Sequence, residues 1–285
     1  MTSPRAQPLL ALPPRADVAS LARAWFVEAA WLREPAPARA TRAAVGARFR
    51  GVTSSARSEP GILRLTWAAH LEGPLDTETL TELGAPSAVR HQAVYRLRVE
   101  EGQPRDDRLL AWLRAAARHA GGFVLLGGAT AEPTHPEPVV DQSVYSAVPL
   151  TPEAALGLAR SVVPAARLTS APDPEEGIAP YELELPSQFD GSVELRFARA
   201  AELPVSLLQL DWREYGPFVY RLVWSPPAEI GVHGDGQFLR IARSRVRPLL
   251  ARTAVVLAKS AGGVVVDTDG FVLPLEEVVA QAVAF

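Results

Sequence analysis

The sequence predicts an α+β fold in which one unit, a helix, a strand or hairpin, a strand, a helix and a strand, is used twice. Three observations predict it. Short segments recur in one order at similar offsets: Leu63-Arg-Leu-Thr-Trp67-Ala68 with Val193-Glu-Leu-Arg-Phe197-Ala198, Val94-Tyr-Arg-Leu97 with Val219-Tyr-Arg-Leu222, and an apolar run closing on Gly121-Gly122 with another closing on Gly262-Gly263. Helical spacing and period-2 alternation follow one another inside each copy. The 285 residues, 48% hydrophobic and 21% charged, have a globular balance and enough chain for about two domains. The expected organisation is an extension over residues 1–15, a first unit over 16–135, a linker over 136–148 and a second unit over 149–285. The two homologous units are expected to pack about a pseudo-twofold axis.

A helix is expected to open each copy. Val18, Leu21, Ala22, Trp25, Ala29 and Leu32 follow helical spacing behind Asp17, which can cap the orphan amides, and Pro35 ends the pattern. In the second copy Thr151-Pro152-Glu153 supplies a cap, a proline at the first helical position and an acid in the first turn, ahead of Leu156, Ala159 and Val163. Strands come next. Alternation turns Leu63, Leu65 and Trp67 inward, and likewise Tyr181, Leu183 and Leu185, then Val193, Leu195 and Phe197 beyond an Asp190-Gly191 turn. The Val-Tyr-Arg-Leu strands put Tyr95 and Leu97, or Tyr220, Leu222 and Trp224, on one face and Arg96 or Arg221 on the other. Each unit closes with a helix, residues 108–120 and about 247–261, with Pro248 at a first turn or kink. The glycine pairs then turn the chain into Phe123–Leu126 or Val264–Val266.

Composition excludes several chemistries. The chain has no cysteine, so disulfides, thiolate metal sites and a thiol nucleophile are out. Of 29 basic residues only Lys259 is lysine, and with 26 prolines this reads as GC-rich bacterial codon usage. The apolar run Leu9-Leu10-Ala11-Leu12 is too short for a secretory leader, and no stretch is apolar enough to span a membrane, so a soluble, cytoplasmic protein is expected.

Asp267-Thr-Asp269-Gly270 after Val264-Val-Val resembles the first motif of haloacid dehalogenase-type phosphatases, whose first Asp is the nucleophile. That resemblance spans about ten residues, and fifteen follow Gly270, too few for the family's further motifs. The spacing also misses a calcium loop, and a polar turn between two strands is expected. Gly122 and Gly127 have phosphate-loop spacing, but Gly128-Ala129 stands where Lys-Ser/Thr is required. His70, His91, His119, His135 and His233 show no metal-ligand spacing, and Ser260 lies at a helix end rather than on a nucleophile elbow.

Charge is segregated behind a net −3. Nine arginines fall within residues 1–58, six acids and no base within 171–190, and Arg240, Arg243, Arg245, Arg247 and Arg252 within thirteen residues. No family is assigned. The expected function is a non-catalytic binding protein, an adaptor, inhibitor or immunity-type partner, whose surface spans both units and whose partner is another protein or itself. Neither a cofactor nor a metal is expected. An alternative is an enzyme or small-ligand binder using a cleft between the units, with His233, Asp235, Asp267 and Asp269 as candidates. Arg96 and Arg221, equivalent by the repeat, are candidate anion contacts. A second alternative is nucleic-acid binding through Arg240, Arg243 and Arg247, which the net negative charge disfavours.

Overall fold

Leu9–Leu12, expected to belong to an extension, forms β1, a strand buried along its whole length and inserted inside the first sheet. The computed structural model describes residues 7–36, 59–100, 102, 106–136, 138–171, 178–227 and 236–283. It is a mixed α+β protein with two antiparallel sheets and, among the described residues, seven α-helices. The chain divides into two units, Met1–Pro138 and Val139–Phe285.

The first unit runs β1, α1 (Val18–Arg23), β2 (Ala30–Arg33), β3 (Gly61–Thr66), β4 (Ala69–Gly73), α2 (Thr77–Glu82), β5 (Ala93–Val99), α3 (Asp107–Ala120) and β6 (Phe123–Leu125). Its sheet order is β2-β3-β4-β5-β1-β6. Asp17 caps α1 as expected, its carboxylate accepting from the amides of Ala19 and Ser20. The helix predicted to reach Leu32 instead stops at Arg23, because residues 30–33 pair with β3 as an edge strand. Ladder hydrogen bonds there outweigh a helical pattern too short to stand alone. Leu63 and Leu65 are buried, but Trp67, expected inward, is 70% exposed where β3 turns into β4. Helix α3 lays Leu109, Trp112, Leu113 and Ala116 against the sheet. On the opposite face α2 and the 3-10 turn Ser87–Val89 cover a second cluster of Leu9, Ala11, Leu80, Val89, Val94 and Leu125.

The second unit runs β7 (Gln142–Ser146), α4 (Pro152–Val162), β8 (Arg167–Ser170), β9 (Tyr181–Pro186), β10 (Ser192–Arg199), α5 (Trp212–Tyr215), β11 (Phe218–Ser225), α6 (Gly236–Ala261), β12 (Val264–Asp267), β13 (Val272–Leu273) and α7 (Leu275–Val283). Its sheet order is β13-β12-β7-β11-β10-β9-β8. Strand β7 lies inside the segment expected to be a linker. Thr151 caps α4 through its hydroxyl, and the Asp190-Gly191 hairpin forms as expected. Helix α6 begins at Gly236, eleven residues before the predicted start, and passes through Pro248. Its buried stripe of Val246, Leu250, Ala254 and Leu257 packs with α4 and the inward faces of β7, β9, β10 and β11. There Phe197 lies against the rings of Tyr181, Tyr220 and Phe218 at 4.7, 4.9 and 5.7 Å. The Tyr220 hydroxyl donates to the Val148 carbonyl and accepts from the Leu150 amide, pinning the entry to α4.

The two sheets share one strand order: without β13, the second reads β8-β9-β10-β11-β7-β12. Register also agrees. Leu9, Leu10 and Ala11 face Arg96, Tyr95 and Val94, while Ser143, Val144 and Tyr145 face Arg221, Tyr220 and Val219. Even the irregularity between edge and second strand recurs, between Trp31 and Arg33 and between Leu168 and Ser170. Two of the repeated segments occupy equivalent places, Val-Tyr-Arg-Leu in β5 and β11 and the glycine pairs after α3 and α6. The third does not: Leu63 is in β3, whereas Val193 is in β10, whose counterpart by register is β4. Neighbouring alternating strands resemble one another, and that similarity produced a match one strand out.

Candidate functional site

On β5 and β11 the repeated arginines lie on the face opposite the one packed by α3 and by α6. Their partners differ. Arg96 faces Glu72 across the β4–β5 ladder and donates to its Oε2 at 2.8 Å, while Arg98 donates to the same oxygen at 3.1 Å. Burial tends to raise the Glu72 carboxyl, but hydrogen bonds and charge from the two arginines outweigh it and hold the group below the ordinary carboxylate range. Glu72→Gln is accordingly expected to cost about 1 kcal/mol at neutral pH. Because the folded carboxyl titrates lower than the unfolded one, that contribution is complete above the ordinary value of 4.5 and is lost as pH falls through the folded value. Urea unfolding of both proteins at neutral and acidic pH checks this, and a gap that widens on acidification would contradict it.

The position of Glu72 is taken in the second sheet by Arg196, which faces Arg221 directly. Arg196 pairs with Glu194 and, at 3.6 Å, with Glu182. Arg221 is exposed and, among the described residues, has no ion pair. Beside it, among the described residues, the sheet is open. Where the first unit buries Leu9 in its second cluster, the second has Ser143, and the matching cluster is confined to Tyr145, Leu207, Tyr215, Val219 and Val266. The result is a concavity of about 270 Å³ lined by Asp141, Ser143, Tyr145, Arg221, Asp267 and Thr268 among others.

Asp141 enters this site at the start of β7. Its Oδ1 accepts from the Trp224 amide at 2.9 Å, and its carbonyl accepts from the Thr268 hydroxyl at 3.0 Å. Burial raises its pKa, partly offset by that amide bond and by the charge of Arg243. Burial also raises the Tyr145 phenol, with Arg221 pulling the other way. The phenol therefore remains a proton donor at neutral pH.

Asp267 and Asp269 form the expected polar turn. Asp267 Oδ1 accepts from the amides of Asp269 and Phe271 at 3.0 and 2.8 Å, and Gly270 takes φ +82. Asp267 thus reaches the concavity with one oxygen already serving the backbone. His233 and Asp235 lie outside the described residues. The α6 arginines disperse: Arg243 lies over the Trp224 ring at 5.9 Å, Arg240 donates back to the Gly236 carbonyl, and Arg247 is exposed. Among the described residues, no three His, Asp or Glu side chains come together to hold a metal ion, and no helix is long and apolar enough to cross a membrane.

A second surface, invisible to periodicity, lies on residues 203–213. The segment is anchored by buried Leu207 and Tyr215 and by a Ser206 hydroxyl bond to the Gly270 carbonyl at 2.6 Å. Asp211 caps α5 by accepting from the Arg213 amide. With those residues fixed inward, Leu208 and Trp212 are held outward, 57% and 61% exposed, and Leu203 is 38% exposed. The Arg213 guanidinium lies 5.6 Å from the Trp212 ring. No family model, curated protein or solved structure matches this chain.

Proposed function

We propose that the chain is a non-catalytic binding protein, an adaptor, inhibitor or immunity-type partner, grown by duplication of one α+β unit. The shared strand order, register, bulge and glycine pair support the duplication. What carries the binding reading is the apolar surface of residues 203–213. Leaving a tryptophan and two leucines in water is unfavourable, and here they are held outward on an anchored segment rather than on a loose loop. Exposed apolar side chains set among charged ones mark protein contacts, with tryptophan and arginine the commonest dominant residues. Asp211, Arg213 and Glu214 supply that charged surround. The fixed backbone reduces the ordering cost of association.

The partner is another protein. Recovery of it from lysate by the wild-type chain should fail when Leu208 and Trp212 are both changed to alanine, while unfolding stability stays within about 0.5 kcal/mol, as expected for exposed positions. Each truncation should weaken a purified complex by about tenfold if it lies at the centre of the contact. Equal recovery by the double variant, or recovery of nothing but the chain itself, would sink the reading.

A further inference from the structure

We infer that the open face of the second sheet carries a binding site for a single carboxylate group of a small-molecule ligand, centred on Arg221. The site is separate from the protein-contact surface at Trp212, and neither depends on the other. A comparison of the two sheets isolates what is special about it. In the first, Arg96 is committed to Glu72 at 2.8 Å and its neighbourhood is filled by Leu9. In the second, the acid is replaced by Arg196, which is itself held by Glu182 and Glu194, and the leucine is replaced by Ser143. Both replacements act in one direction: Arg221 loses its internal counter-ion and gains open space beside it.

The donors suit a carboxylate. The guanidinium can present two parallel N–H bonds to the two oxygens of such a group. Ser143, opposite Arg221 in the ladder, and the protonated Tyr145 phenol line the same space with hydroxyl donors. The charge sets the valence. Asp141 and Asp267 share the lining with Arg221, two acids for one base, so a singly charged carboxylate meets about half the repulsion that a doubly charged phosphate would. The volume of about 270 Å³ is at the small end for ligand sites and fits a compact molecule.

The test is a titration of the full-length, ¹⁵N-labelled protein with sodium benzoate, with neutral benzamide and with inorganic phosphate, followed by amide shifts. Benzoate should give saturable shifts at residues 142–143, 222–223 and 268, and benzamide and phosphate should not. Arg221→Gln should weaken benzoate by about tenfold or more, the loss expected for a charge-assisted pair. Arg196→Glu, which recreates the Glu72–Arg96 arrangement in the second sheet and captures Arg221, should do the same, while Arg96→Gln leaves binding unchanged. All three side chains are on exposed or half-exposed positions, and each spectrum reports directly whether the variant is folded. Absence of saturable benzoate shifts, undiminished binding by Arg221→Gln, or tighter binding of phosphate than of benzoate would overturn the assignment.

Discussion

Trp112→Ala is expected to lower unfolding stability by about 3–5 kcal/mol, the range for removing a buried aromatic side chain. Trp112 is wholly buried on α3, and its indole meets the Phe26 ring edge-on at 5.7 Å. Its Nε1–H donates to the Leu21 carbonyl of α1 at 3.0 Å, inside the core. Truncation thus opens a cavity and also leaves a buried carbonyl without its donor, the second effect adding about 1–3 kcal/mol where water cannot enter. Trp112→Phe separates the two, since it keeps most of the volume and loses the N–H, and its cost should be smaller than that of alanine. Denaturant unfolding followed by far-ultraviolet circular dichroism measures both. A loss below about 1 kcal/mol for alanine would mean that this side chain does not tie α1 to α3 as described. The second unit solves the same place differently: counting back from the glycine pair, Trp112 corresponds to Thr253, also wholly buried, whose hydroxyl donates to the Leu249 carbonyl of its own helix at 2.9 Å.

Much of this fold is legible in the sequence where local chemistry decides it. Asp17 and Thr151 cap helices, Asp190-Gly191 makes a hairpin, and Tyr181, Leu183 and Leu185 alternate into the core, because each depends on residues a few positions apart. The central strands were hidden for the opposite reason. Leu9-Leu10-Ala11-Leu12 is buried on both faces, so it carries no period-2 signal, and β7 mixes Gln142 and Ser143 with apolar residues. Residues 30–33 carry helical spacing and are strand only because β3 lies beside them. The site shows the same division. Arg221 stands out through the repeated Val-Tyr-Arg-Leu, but its concavity is assembled from β7, β11 and the turn after β12, segments spread over residues 141–270. No spacing rule reaches Asp141 or Ser143. A comparison of the positions facing the two arginines could have found Arg196 in place of Glu72, had the repeat been aligned on the correct strand.

Glycine substitutions at the two helix ends offer the sharpest test of that equivalence. Gly121 and Gly262 terminate α3 and α6 at φ +70 and +62, and a Cβ at either would meet nothing within 4 Å. Alanine there is opposed only by the left-handed backbone, which costs an L-residue about 1–2 kcal/mol. The next glycine in each pair has a different duty. A Cβ on Gly122 would lie 2.3 Å from the Ala11 carbonyl oxygen, and one on Gly263 would lie 2.7 Å from the Tyr145 carbonyl oxygen. Ala11 and Tyr145 occupy the same register position on β1 and β7, so in both units the helix can return to the sheet only if its second glycine passes bare over that strand. Backbone cannot yield as a side-chain tip can, and about 3 kcal/mol or more is expected for Gly122→Ala, with a smaller loss for Gly263→Ala because its contact is longer. Denaturant midpoints of the four single variants should therefore rank Gly122→Ala lowest, Gly263→Ala next, and the two cap variants nearest wild type. A cap variant less stable than its neighbour would place the constraint in backbone handedness instead of in the close strand. The same order in both units would follow from the shared geometry, since in each the second glycine passes over the carbonyl at the same register position of the central strand.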